Sequence, residues 1–154
     1  MGAGRGVGLE ILVSLGAARL TGFDLDPKML RLAEAWIAPH GDRARLFVDD
    51  AGAVDAPNRP YKAVVEYGIL HHVPDWPQAM RKIARMLKPG GALYFEDVRN
   101  DFTSLWPARF VQPPQGKQFL RDEFHAGLLA AGLGIEVWRP FIEGGVPGRA
   151  VKPG

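Results

Sequence analysis

The sequence contains no cysteine, which excludes disulfide bonds and cysteine-ligated zinc sites. It has no apolar run of the roughly 18–20 residues that a membrane-spanning helix needs, and it does not begin like a secretory signal peptide. Basic residues exceed acidic residues by only two and form no run, which gives nucleic-acid binding little support. These absences predict a cytoplasmic protein with no membrane span and no nucleic-acid partner.

What is present is an ordinary globular composition. Of the 154 residues, 47% are hydrophobic and 23% are charged, a balance that argues against disorder and suits one domain with its own core. Segments with the patterns of strands and helices alternate along the chain, which favours an α/β fold with a mostly parallel sheet covered by helices on both faces. We expect a single domain over residues 1–154, with Asn100–Gln118 as an irregular insertion or lid because it has three prolines and no steady period.

Local patterns place the expected elements. Buried strands are predicted at residues 18–23, 44–48, 63–67, 92–95 and 135–138, with a weak last strand at 148–152. Helices are predicted from Leu9 to Leu15, from Pro27 to just before Pro39, and over residues 77–87 and 119–131. Between the third helix and the fourth strand, Lys88–Gly91 predicts a type II turn, in which the first glycine supplies the positive φ.

The most informative stretch is the glycine-rich opening, Gly2–Gly8, which leads directly into a helix-like apolar segment. Alternating glycines let the backbone turn sharply and lie against a ligand, and a turn of this kind before a helix is a nucleotide site in open α/β sheets. Asp24 follows Gly4 by 24 − 4 = 20 positions, the offset at which an acid holds ribose hydroxyls. A plain turn aspartate is the alternative for Asp24. The competing acid, Asp26, is better explained as the N-cap before Pro27.

The glycine spacing also discriminates between cofactors. The nicotinamide fingerprint G-x-G-x-x-G/A fails in every frame, because its third site holds Val7, Leu9 or Ile11. That third glycine permits close packing of helix on strand, so a larger residue there disfavours a dehydrogenase. The pattern present is G-x-G-x-G.

Five motifs occur in one order along the chain: Gly2–Gly6, Thr21–Leu30, Asp49–Ala51, Gly68–Asp75 and Arg85–Gly91. Together they resemble a class I S-adenosylmethionine-dependent methyltransferase of the small-molecule type, and the resemblance covers nearly the whole chain. It implies a Rossmann-like doubly wound fold, S-adenosylmethionine as cofactor, and methyl transfer to O, N or C of a small-molecule acceptor. The alternative is a truncated, non-catalytic domain that binds the cofactor or acts through a partner.

The resemblance also implies the cofactor site. The glycine loop would pass beneath the methionine and ribose parts, Asp24 would hold the ribose hydroxyls, and Leu25 would flank the adenine. Asp50 and its neighbour would bind the adenine amino group, and residues after the third strand would line the methionine end. The expected cofactor-binding residues are Gly2, Ala3, Gly4, Gly6, Asp24, Leu25, Met29, Asp50, Ala51, Tyr67 and Gly68. A solvated loop pair is the alternative for Asp49 and Asp50, and no metal site is predicted.

Methyl transfer needs a general base only if the acceptor must lose a proton, since the sulfonium is already activated. His71 and His72 are the weak candidates for that base, because an imidazole titrates near neutral pH. Hydrogen bonding within their own loop is the alternative. Aromatic side chains that would either wall an acceptor pocket or simply pack are Trp76, Phe102, Trp106 and Phe110.

One part of the family pattern has no counterpart in the sequence. Only Met1 precedes the glycine loop, where the family has a central strand and, before it, a helix. We therefore expect the fold to lack that first strand and helix, which leaves two inner strand edges with unpaired backbone groups. Each such group costs roughly 1–3 kcal/mol when buried. The three explanations are a late start codon, a cut chain, and a gap that closes up or is filled by a strand from a partner, and they stay open here.

Overall fold

A computed structural model of the chain describes residues 1–97, 119–139 and 146–154. These residues form two compact units, Met1–Ala53 and Val54–Gly154. The expected insertion, Asn100–Gln118, lies outside the described residues, and the single-domain organisation remains a prediction. None of the described helices has the length and apolarity to cross a membrane.

The first unit combines two helices with a two-stranded parallel sheet. Its elements are α1 (Val7–Ser14), β1 (Leu20–Asp24), α2 (Pro27–Ile37), a 3₁₀ segment (Ala38–Arg43) and β2 (Ala44–Val48). Leu20 lies opposite Ala44, and Asp24 lies opposite Val48. Both strands therefore end at the same edge of the sheet, as expected for a strand–helix–strand unit.

The core of the first unit comes from helical positions three or four residues apart. Leu9 and Val13 on α1 pack with Ala33 and Ile37 on α2. At Gly6, the N-cap of α1, an added Cβ would lie 2.9 Å from the Ala33 Cα atom. Glycine is required there because the two helices leave no room for a side chain.

Two predicted boundaries in this unit can be compared with the structure. The Asp26 carboxylate accepts the Lys28 N–H at 2.8 Å, which confirms the predicted N-cap before Pro27. The first strand begins at Leu20, two residues later than predicted. The residues just before it belong to the C-terminal end of α1, because the Ala17 N–H donates to the Leu12 carbonyl at 2.9 Å.

The second unit contains a four-stranded mixed sheet in the order β3-β4-β6-β5. The parallel pair is β3 with β4, and β6 runs antiparallel to both β4 and β5. Its elements are β3 (Tyr61–Tyr67), a 3₁₀ turn (Leu70–His72), α3 (Trp76–Met86), β4 (Leu87–Glu96), α4 (Arg121–Ala130), β5 (Gly134–Trp138) and β6 (Gly148–Val151). In the described part of the chain, β1 and β3 each stand at an edge of their sheet.

The fourth strand differs from its predicted bounds. It begins at Leu87, so the residues expected to form a separate turn belong to β4. Tyr61 pairs with Leu87 whereas Ala63 pairs with Ala92, and this irregular register absorbs the extra residues of β4. Gly90 has the predicted positive φ, at 72°. The positive φ of Gly90 was thus predicted correctly, but pairing with β3 extends the strand through the segment expected to be a turn.

The core of the second unit is rich in aromatic side chains. The Trp76 and Phe119 rings lie 5.1 Å apart, and the Phe119 and Phe124 rings lie 4.6 Å apart. Phe95 from β4 contacts Phe124 at 5.3 Å. Trp76 is 9% exposed and packs in this core, which agrees with the packing alternative for this residue. The other three aromatics considered, Phe102, Trp106 and Phe110, lie outside the described residues.

Candidate functional site

The glycine loop is held against the carboxyl end of β1. The Ala3 N–H donates to the Phe23 carbonyl at 2.8 Å, and the Gly4 N–H donates to Asp24 Oδ2, also at 2.8 Å. Gly2, Gly4 and Gly6 have φ values of 63°, 52° and 95°, a region that side chains rarely adopt. Positive φ at alternate positions is what folds this loop over the strand end.

Asp24 is held in one orientation by two backbone donors. Its Oδ2 accepts the Gly4 N–H, and its Oδ1 accepts the Asp26 N–H at 3.0 Å. Each carboxylate oxygen has acceptor capacity for two hydrogen bonds. The half-buried Asp24 side chain therefore retains capacity on both oxygens for a pair of neighbouring hydroxyls.

The loop after β2 reaches the same edge of the first sheet. The Asp49 N–H donates to the Asp24 carbonyl at 3.1 Å. Asp50 Oδ1 accepts the Gly52 N–H at 2.7 Å, so the exposed Asp50 side chain also stabilises its own turn. Ala51 is 9% exposed and follows directly. Adenine binding by Asp50 and Ala51 stays a prediction, as does the solvated alternative.

The remaining residues predicted to bind the cofactor are found in both units. In the first unit, Leu25 is 69% exposed next to Asp24, and Met29 is half-buried on α2. In the second unit, Tyr67 is 63% exposed at the end of β3, and Gly68 follows with a φ of 61°. The Gly68 N–H donates to the Glu96 carbonyl at 2.7 Å, which fixes the turn at the end of β3.

The structure separates the two candidate bases. His71 is 3% exposed, and its Nδ1 contacts Asp97 Oδ1 in a short hydrogen bond. The His71 backbone N–H also donates to Asp97 Oδ2, at 3.3 Å. His72 is exposed, and the two imidazole rings lie 3.9 Å apart. Partial desolvation and the neighbouring His71 lower the pKa of His72, whereas the charge of Asp97 opposes this shift.

A buried acid beside these histidines, Glu66, was not among the predicted site residues. It is fully buried, and its Oε1 accepts the N–H groups of Ile69 at 2.5 Å and Leu70 at 3.2 Å. Burial, and next the negative charge of Asp97, raise the pKa of Glu66 well above its ordinary value, and the two backbone donors oppose this. A usable signal was present in the sequence. Glu66 lies near the end of the strand-like segment 63–67, and Asp97 follows the strand-like segment 92–95. The carboxyl ends of neighbouring parallel strands lie at one edge of a sheet, so these two acids could be expected close together.

A glycine loop bound to the acid that ends the next strand, within an alternating α/β chain, is typical of Rossmann-like nucleotide-binding folds, which include the class I S-adenosylmethionine-dependent methyltransferases. Comparison with known families agrees, because the family described as methyltransferase domain matches residues 1–91. The chain belongs to this family of methyltransferases, in the class whose cofactor is S-adenosylmethionine.

Individual relatives match the chain at low sequence identity. The chain is 28% identical to the ubiquinone biosynthesis O-methyltransferase of Nitrosomonas europaea, over 93% of this chain and 68% of that protein. It is 27% identical to the 2-methyl-6-phytyl-1,4-hydroquinone methyltransferase of a Synechocystis species, over 81% of this chain but only 39% of that protein. An S-adenosylmethionine-dependent methyltransferase from Mesorhizobium loti, 17% identical, matches with a TM-score of 0.86 over 98% of this chain and 88% of its own.

Proposed function

We propose that this protein transfers the sulfonium methyl group of S-adenosylmethionine to a hydroxyl oxygen of a small aromatic acceptor of the quinol type. The observation that carries the proposal is the fixed Asp24 carboxylate, held between the N–H groups of Gly4 and Asp26. A ribose presents two adjacent hydroxyls, and each would donate to one Asp24 oxygen. The exposed Leu25 side chain offers an apolar surface beside it for the adenine ring.

The choice of acceptor is supported by the names of relatives and by simple acid–base chemistry. One relative is named for ubiquinone biosynthesis and another for a hydroquinone, so both names point to hydroxylated aromatic rings. A phenolic hydroxyl ionises near pH 10, so at neutral pH a group that takes its proton accelerates attack on the methyl carbon. His71 is the preferred candidate for that role, because the Asp97 carboxylate contacts Nδ1 and leaves Nε2 as the ring nitrogen that can accept a proton.

A labelled-methyl assay tests the proposal. The full chain is incubated with methyl-labelled S-adenosylmethionine and, in parallel, with catechol, hydroquinone, an aliphatic amine and arsenite. We expect label to enter the two dihydroxybenzenes. Binding of S-adenosylhomocysteine without transfer to any acceptor would favour the non-catalytic alternative, and transfer only to the amine or to arsenite would overturn the choice of acceptor.

A pair of variants links that activity to the cofactor site. Asp24→Asn keeps the shape of the side chain but removes its charge, so it should lower activity at limiting S-adenosylmethionine and recover much of it near saturation. Asp42→Asn changes an exposed aspartate in the 3₁₀ segment. It should leave the activity unchanged both at limiting and at saturating S-adenosylmethionine. Equal behaviour of the two variants would count against Asp24 as the ribose ligand.

A further inference from the structure

The second unit contains a cleft between α3, α4 and the end of β6 that is lined by positively charged side chains. Its volume is about 310 Å³. The lining residues are Arg81, Ala84, Arg85, Ala130, Ala131 and Lys152. Three of these residues are cationic and the other three are alanines, so no acid lines the described part of the cleft. A concave surface with charge of one sign attracts ligands of the opposite sign.

The two arginines reach the cleft from successive turns of one helix. Arg81 and Arg85 are four residues apart on α3, so their side chains lie on one face of the helix. Both residues are exposed, and neither has a carboxylate partner among the residues that the structure describes. Like charges at this spacing repel each other, and an anion bound between them would offset that repulsion.

Lys152 is the third cation, and the backbone of α3 holds it in place. Its Nζ donates to the Ala84 carbonyl at 2.9 Å and to the Leu87 carbonyl at 2.7 Å. These carbonyls lie at the C-terminal end of α3, which is the negative end of the helix dipole. An ammonium group has three N–H donors. Lys152 therefore compensates the helix end and still has one donor for a ligand in the cleft that it lines.

The three alanines leave space between the helices. Ala84 is 6% exposed on α3, and Ala130 and Ala131 lie where α4 ends. The volume of the cleft is at the lower end of the range for small-molecule sites, about 300–1,000 Å³. The cleft therefore suits a small anionic group.

The cleft lies away from the residues predicted to line the methionine end of the cofactor. Lys152 contacts the Leu87 carbonyl, where β4 begins, and Leu87 pairs with Tyr61 at the start of β3. Tyr67 ends β3, and Gly68 follows it. The two ends of β3 are roughly 20 Å apart at the usual rise per residue of a strand. A ligand in the cleft therefore occupies a separate site.

We propose that this cleft binds a phosphate group, either the free ion or the ester of a small molecule, through Arg81, Arg85 and Lys152. A phosphate monoester carries nearly two negative charges at neutral pH and has three free oxygens, one for each cation. Guanidinium groups hold phosphate oxygens with paired hydrogen bonds, and the lysine ammonium adds a point charge. A carboxylate has one charge and two oxygens, so it matches the three cations less well. The inference goes beyond the proposed function and does not depend on it.

Nitrogen-15 NMR titrations of the full chain test the proposal and also locate the site. The added ligands are inorganic phosphate, phenyl phosphate and acetate, at constant ionic strength. Both phosphates should produce saturable shifts in the amide signals of Ala84, Ala130 and Ala131, and acetate should bind about tenfold more weakly or less. Tighter binding of phenyl phosphate would identify an ester as the ligand, and tighter binding of inorganic phosphate would identify the free ion.

Two results of these titrations would overturn the proposal. One is the absence of saturable shifts at the cleft amides with either phosphate, or equal binding of acetate. The other is a set of shifts confined to Gly68 and its neighbours, which would place the anion at the opposite end of β3.

Arginine variants assign the binding to individual side chains. Arg81→Gln and Arg85→Gln each remove one charge but keep a polar side chain, so each should raise the dissociation constant for phenyl phosphate about tenfold. Arg121→Gln is the matched control and should leave the constant unchanged, because Arg121 is an exposed arginine at the opposite end of α4. Lys152 is kept, since its loss would also free two carbonyls of α3.

The double variant Arg81→Gln/Arg85→Gln gives the decisive comparison. It should lose saturable binding of phenyl phosphate while its circular dichroism spectrum stays that of the wild type. Unchanged binding by the folded double variant would overturn the proposal. An equal loss of binding in Arg121→Gln would also overturn it, because the effect would then come from overall charge and not from the cleft.

Discussion

The Gly4 N–H donates to Asp24 Oδ2 at 2.8 Å, a bond that joins the first glycine-rich residues to the end of β1 across 20 positions of sequence. The same carboxylate accepts the Asp26 N–H through its other oxygen. Asp24 thus organises the loop before it and the turn after it. A residue with this role has a fixed orientation before any cofactor binds, which lowers the entropic cost of binding.

The structural part of this role predicts a graded loss of stability. Asp24→Ala removes the acceptor for two backbone N–H groups and should lower the free energy of unfolding by about 1–3 kcal/mol. Asp24→Asn retains one carbonyl oxygen and should lose less. Urea unfolding without cofactor measures both variants, and equal losses would mean that these hydrogen bonds contribute little.

Three glycine substitutions in one short segment separate backbone strain from steric overlap. Gly8 lies within α1 and a Cβ there meets nothing within 4 Å, so Gly8→Ala should stabilise the protein by about 0.5–1 kcal/mol. Gly4 also has open space but a φ of 52°, so Gly4→Ala should destabilise by about 1 kcal/mol. Gly6 combines a φ of 95° with a Cβ position 2.9 Å from Ala33 Cα, so Gly6→Ala should cost at least about 2 kcal/mol.

Unfolding free energies of these three variants in the absence of cofactor give the ranking. From most to least stable, the expected order is Gly8→Ala, wild type, Gly4→Ala and Gly6→Ala. If Gly6→Ala were no worse than Gly4→Ala, the close approach of the loop to α2 would be wrong.

The buried Glu66 predicts a particular pH dependence of stability. Because its pKa in the folded protein is raised above the ordinary 4.5, the folded chain keeps a proton that the unfolded chain releases. Its contribution is therefore complete below about pH 4.5 and is lost as pH rises towards the folded pKa, at most about 1.4 kcal/mol per pH unit. Glu66→Gln has no such proton, so its unfolding free energy should decline less than that of the wild type between about pH 5 and 7. Parallel pH profiles would argue that Glu66 is ionised in the folded state.

Asp26 offers a test of which acid serves the cofactor. Asp26→Ala removes the N-cap of α2 and should destabilise the protein by about 1 kcal/mol. Its affinity for S-adenosylhomocysteine should stay close to that of the wild type, because Asp24 rather than Asp26 is the proposed ribose ligand. A loss of affinity larger than that of Asp24→Ala would reverse the two assignments.

The parts of the fold that followed from sequence are those fixed by local chemistry. The N-cap at Asp26, the positive φ of Gly90 and the strand Ala44–Val48 each depend on a few neighbouring residues and were predicted correctly. The start of β4 was not, because pairing with Tyr61 extends that strand through a segment with strong turn chemistry. Local preference was overridden there by contacts between distant residues.

The candidate site divides in the same way. The offset between Gly4 and Asp24 predicted two residues that the structure brings into hydrogen-bond contact. The cluster of Glu66, Asp97 and His71 was not predicted, because 26 positions separate Asp97 from His71 and only the parallel register of β3 and β4 brings them together. Burial raises the pKa of Glu66, against the usual expectation that a glutamate is charged. The burial of one residue cannot be predicted from its neighbours in sequence.

The most direct test of the account is a calorimetric titration of the full chain with S-adenosylhomocysteine, repeated for Asp24→Asn, Asp24→Ala and Asp42→Asn. We expect saturable binding by the wild type and by Asp42→Asn. Asp24→Ala should bind with an affinity reduced by about 1–3 kcal/mol, which is roughly 5- to 150-fold, and Asp24→Asn should lie in between. An unchanged dissociation constant for Asp24→Ala, in a variant that still unfolds cooperatively, would contradict the account.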